Sequence, residues 1–131
     1  MPSAAAVFVN DSYETEPYVQ GGAAEFARVH ITRTFSGDLE GTARAELLTV
    51  SPREGSAAYV ALDAVSGRLA GRDGSFVLEH HGIVSAAGAD TAGVIVPDSG
   101  TGELAGLTGT ARIDVDSDGT HRLLLDYELP G

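Results

Sequence analysis

Apolar and polar residues alternate along most of this 131-residue chain, the two-residue period of strands that keep one face wet. Segments 6–10, 25–35, 42–50, 57–66, 74–83, 92–97, 110–115 and 121–129 carry the pattern. Between them stand "SGDLEG", "SPREGS", "SGRLAGRDG", "SAAGAD", "PDSGTGELAGLTG" and "DSDG", rich in the glycine and aspartate that tight turns demand. No helical pattern of about ten residues interrupts them. The expected fold is a single all-β domain over residues 1–131, an antiparallel barrel or sandwich of about eight strands. Only the first twenty residues and the "SGTGELAGL" connection leave room for helix or irregular structure.

The alternation also assigns faces. Leu123, Leu125, Tyr127 and Leu129 share the side of the last strand predicted to lie inside, and Ala111, Ile113 and Val115 do the same one strand earlier. In "RVHITRTF" the inward side runs Val29, Ile31, Arg33, Phe35, which carries a guanidinium into the core. In "GSFVLEHHG" Phe76, Leu78 and His80 point one way and His81 the other. Tyr59 shares parity with Asp63, and Arg44 with Glu46 and Leu48, but neither strand has one clearly apolar side, so both orientations of these residues stay open.

Charge narrows the partners. Eight Lys and Arg against nineteen Asp and Glu give a formal charge of −11, which opposes nucleic acid and anionic lipid surfaces. There are no cysteines, so disulfides, thiolate zinc sites and cysteine nucleophiles are excluded, and the chain suits a reducing compartment. "MPSAAAVFVNDSYE" lacks a basic region and a sustained apolar run, and no membrane-length apolar stretch occurs. A cytoplasmic protein, free or self-associated, is expected.

Two motifs come close to known sites and fail. "DVDSDGTHRLLLD" places Asp114, Asp116, Asp118 and Gly119 like the start of an EF-hand loop, but the position that needs a bidentate glutamate is Leu125. An acidic hairpin turning at residues 117–120 is expected there, with no metal. "SGTGELAG" has its glycines at 100, 102 and 106, one residue too widely spaced for a dinucleotide loop, and no βαβ unit surrounds it. No P-loop, zincin helix or nucleophile elbow occurs, and the four histidines lack paired ligand spacing, so no cofactor is expected.

The ordered motifs "TFSGDLEG", "YVALDAVSGRLAGRDGSFVLEH" and "VPDSGTGELAGLTG", with the closing "LDYELP", resemble the bacterial family called domain of unknown function 3224. The resemblance covers nearly the whole chain. It implies a compact antiparallel barrel similar to the allene oxide cyclase-like barrels, a group that includes cofactor-free cyclases. It brings no catalytic residues with it. Tyr13 stands where a tryptophan is common in the family and His81 where a small residue is usual, two changes that could reshape a pocket mouth.

Charged side chains turned into a small barrel must pair or meet a ligand. Glu46, Asp63 and His80 lie on consecutive predicted strands and are the candidate acid–base group, with His80 as the proton carrier. Arg33, Tyr59, Phe76 and Tyr127 are the candidate ligand contacts. A small molecule of apolar or semi-polar character is the expected partner. Three readings follow: cofactor-independent cyclisation, isomerisation or elimination; a carrier without turnover; or a filled core in which the charges only fix the fold.

Overall fold

The computed structural model describes residues 2–19 and 24–130, and every regular element among them is a β-strand. The strands are β1 (Ser3–Val19), β2 (Glu25–Gly37), β3 (Leu39–Arg53), β4 (Ser56–Leu69), β5 (Arg72–Ser85), β6 (Gly88–Ile95), the two-residue β7 (Thr101–Gly102), β8 (Thr108–Val115) and β9 (His121–Glu128). Each strand from β1 to β5 pairs antiparallel with its successor, β6 pairs with β8, β8 with β9 and β9 with β1. Eight strands therefore close into a ring, and β7 sits beside it, paired to β5 through Ser75 and Thr101.

The ring departs from the expected pattern in two places. β1 runs far beyond residues 6–10, because β2 supplies hydrogen-bond partners to the polar stretch "NDSYETEP" as readily as to an apolar one. Residues 10–18 of β1 are exposed, so alternation there has no dry side to record. Two register shifts, between Asn10 and Ser12 and between Pro17 and Val19, blur it further. In the second place, "SGTGELAGL" forms β7 and a run of tight turns, with Leu104 N–H donating to the Thr101 carbonyl at 3.0 Å and Leu107 N–H to the Leu104 carbonyl at 3.1 Å.

Those turns seat Leu104 and Leu107, both fully buried, with Leu39, Leu69 and Phe76 in the larger of two core clusters. The connection is thus a plug for one end of the ring. A smaller cluster of Val29, Ile31 and Ala45, with Leu47 packed on it, lies toward the opposite end. "DVDSDGTHR" is the expected hairpin: Val115 pairs with His121, Asp116 N–H donates to the Thr120 carbonyl at 2.8 Å, and Arg122 grips Asp116 at 2.8 Å.

Candidate functional site

Between the plugged end and the open end the interior changes from apolar to polar. Alternation along β2 buries Arg33 between Ile31 and Phe35, and along β4 it buries Asp63 between Ala61 and Val65. His80 follows Leu78 on β5 in the same way, and the three side chains are the buried polar or charged residues of the described chain. Small neighbours make room for them: Ala45 pairs with Asp63, and Ala61 and Gly93 flank His80. A methyl group at Gly93 would lie 2.9 Å from His80 Cβ and 2.5 Å from the Glu79 carbonyl oxygen, so glycine is required beside this imidazole.

Asp63 holds the group together. Its Oδ1 is 2.8 Å from His80 Nε2 and its Oδ2 is 3.0 Å from Arg33 Nε. A carboxylate only accepts, so the shared proton lies on Nε2, and Nδ1 is left as an acceptor for the Tyr59 hydroxyl at 3.3 Å. The result is a chain from carboxylate through imidazole to phenol. The Arg33 Nε–H is turned off the line to Asp63, so this contact is an ion pair without an aligned hydrogen bond. Arg33 Nη1 donates to Asn10 Oδ1 at 3.0 Å, and the guanidinium carbon lies 5.1 Å from the centre of the Phe8 ring.

This group floors a cleft of about 640 Å3 at the open end. Arg33, Tyr59 and His80 line it together with Ile31, Leu47 and Ile113, as do Asp90, Asp116 and the Arg112–Asp114 ion pair. Burial pushes the Tyr59 phenol above its ordinary value of 10.0; Arg33 opposes that shift and Asp63 adds to it. On one side the cleft reaches a seam where the β6–β8 ladder stops at Gly93 and Ala111. Beyond that pair the Thr91 hydroxyl bridges to the Ile113 carbonyl at 2.9 Å in place of a ladder bond.

The structure unites Asp63, His80, Arg33 and Tyr59 and separates three other candidates from them. Glu46 points outward, its side chain 61% exposed beside Arg28 and His30, because inward positions on β3 fall to Ala43 and Ala45. Phe76 and Tyr127 pack into the core cluster with Leu104 and Leu107, on the plugged side, and do not line the cleft. Asn10, Phe8 and His121 do line it, and sequence reasoning passed over them. Asn10 shares parity with Ala6 and Phe8, a usable signal; His121 opens the predicted segment 121–129 and shares parity with its inward leucines Leu123 and Leu125.

A family model for proteins of unknown function, DUF3224, matches residues 4–127. The chain belongs to the DUF3224 family. A crystal structure of a DUF3224 protein of unknown function from Shewanella oneidensis MR-1 is similar over 100% of this chain and 98% of that one, at 34% identity and a TM-score of 0.85. No curated protein matches the sequence. Tyr13 is exposed on β1 and His81 faces outward beside Glu79, and neither is among the residues that line the cleft.

Proposed function

We propose that the ring is a ligand-binding barrel of the allene oxide cyclase-like kind, working in a reducing compartment such as the cytoplasm. It takes an uncharged, largely apolar molecule carrying one hydrogen-bonding oxygen into its open end. There the Asp63–His80–Tyr59 chain moves a proton at or beside that oxygen, the chemistry of an isomerisation, cyclisation or elimination. One observation carries this reading: a buried carboxylate connects through an imidazole to a phenol that lines the cleft, at 2.8 and 3.3 Å. An imidazole so oriented relays a proton without a cofactor. The raised Tyr59 phenol stays protonated at neutral pH, with its one hydrogen directed at His80 Nδ1 and its oxygen left to accept from a hydroxyl of the ligand. The chain's charge of −11 disfavours an anionic ligand.

A carrier without turnover is the second reading. It is favoured by the engagement of both Asp63 oxygens, one with His80 and one with Arg33, which leaves the carboxylate self-satisfied before any ligand enters. The cleft speaks against a filled structural core.

Native mass spectrometry of the purified protein, together with binding of the neutral dye Nile red, tests the site. A co-purifying mass, or dye binding that Ala89→Trp blocks at the cleft rim, supports it. Absence of both defeats it. Conversion of an identified ligand, lost in His80→Ala and Tyr59→Phe, separates enzyme from carrier.

A further inference from the structure

The Arg33 guanidinium holds hydrogen-bond capacity that the protein does not use. A guanidinium presents a fork of N–H donors and accepts nothing. Nη1 donates to Asn10 Oδ1 at 3.0 Å, while the Nε–H is turned off the line to Asp63 and closed off from solvent. Nη2 donates to no described residue, yet it is not closed off, since Nε is the buried side-chain nitrogen left without a partner. Arg33 lines the cleft and is 5% exposed, so an acceptor for Nη2 has to come from within the cleft.

Tyr59 is the matching group. Its hydrogen goes to His80 Nδ1 at 3.3 Å, which leaves its oxygen able to accept. The two side chains end one continuous set of contacts, from Arg33 to Asp63, Asp63 to His80 and His80 to Tyr59. The cleft thus offers one free donor and one free acceptor. Charge then decides between the acceptors that suit Nη2, a carbonyl or a carboxylate. Asp63 already opposes the Arg33 cation at 3.0 Å and the chain carries −11, so a further anion gains little there and a neutral carbonyl fits.

We propose that the ligand is a hydroxyketone, with its carbonyl oxygen accepting from Arg33 Nη2 and its hydroxyl donating to Tyr59 Oη. The assignment rests on the cleft reading above and adds a second oxygen to the ligand. Arg33 is the residue that selects for the carbonyl.

Displacement of Nile red from the full chain tests the assignment. The competitors are the aldol adduct of benzaldehyde and acetone, which is a hydroxyketone; benzylacetone, the same skeleton without the hydroxyl; and phenyl propyl carbinol, the same skeleton without the carbonyl. The wild type is expected to favour the hydroxyketone about tenfold or more over each of the others. Arg33→Met should erase its lead over phenyl propyl carbinol, and Tyr59→Phe its lead over benzylacetone. The wild-type ranking needs no variant, so it decides the matter if Arg33→Met fails to fold. Equal displacement by the three compounds overturns the proposal and leaves the cleft reading standing, because solvent then serves Nη2. A lead over the carbinol that persists in Arg33→Met also overturns it, as does tighter displacement by the β-hydroxy acid in which a carboxylate replaces the acetyl group. Failure of Nile red to bind, with no co-purifying mass, defeats the cleft reading and this assignment together. If a ligand co-purifies instead, its structure decides, and a molecule lacking either group overturns the proposal.

Discussion

Tyr59 rests its ring on Gly82. The two residues pair across the β4–β5 ladder, and a methyl group at position 82 would come within 2.6 Å of Tyr59 Cε1. A side chain there would lift the phenol from its place beside His80, so Gly82 holds the last member of the proton chain in position. Gly82→Ala is expected to cost about 1–3 kcal/mol by overpacking. It should also break the Tyr59–His80 contact, read as a fall of the Tyr59 titration toward its ordinary value. An unchanged titration in a folded variant would show that the ring is held by something else.

The Tyr59 titration has a definite sign. Of four tyrosines, the one removed by Tyr59→Phe should form phenolate above the ordinary 10.0, because burial disfavours the charged ring. A folded-state value above the unfolded one means that stability is full below pH 10 and declines as pH rises from 10 through the folded value. Tyr59→Phe should lose less stability over that window than the wild type. Phenolate absorbance and denaturant melts across the alkaline range measure both.

Removing the carboxylate should be the most damaging single change in the polar layer. Asp63→Ala leaves Arg33 as an unpaired cation at 5% exposure and strips His80 of its acceptor, an expected loss of about 3–5 kcal/mol. Replacing Arg33, Asp63 and His80 together with Met, Leu and Leu removes all three polar demands and should restore much of that stability. Chemical denaturation of both variants checks the ranking, and a triple variant no more stable than Asp63→Ala would contradict it.

Glu46 supplies the matched control. It lies on the outer wall, so Glu46→Gln should leave cleft binding and the Tyr59 titration unchanged. An effect on either, in a variant with wild-type melting, would mean that the outer wall communicates with the interior.

Much of this architecture could be read from residue types alone. Strict alternation carried the strand count and the inward turn of Arg33 and His80, since a period of two leaves a buried strand no freedom of face once its register is set. It failed at Glu46 because "TARAELL" puts small or charged residues on both parities, and alanines give too little contrast to mark the dry side. It failed at Phe76 and Tyr127 for another reason. Alternation tells inside from outside but not which end of the ring is filled, and that depends on Leu104 and Leu107 entering from a connection with no period at all.

That plug also makes a stability prediction. Leu104→Ala should cost about 2–5 kcal/mol, since a fully buried leucine leaves a void that its neighbours cannot all close. Cleft binding should survive in whatever protein stays folded, because the polar layer separates the plug from the open end. Denaturant melts with Nile red binding at low denaturant check both halves.

The last pairing of the ring joins residues from opposite ends of the chain, Ala4 with Leu125 and Ala6 with Leu123, whereas most other ladders link strands joined by short turns. Local hairpins form fast and distant contacts slowly, so the meander from β1 to β5 assembles before β9 meets β1. Until that moment the facing edges of β1 and β9 carry unpaired amides flanked by apolar side chains, the template on which separate chains pair. Yield on refolding is therefore set by a race between closure within one molecule and pairing between two, and it should fall as protein concentration rises.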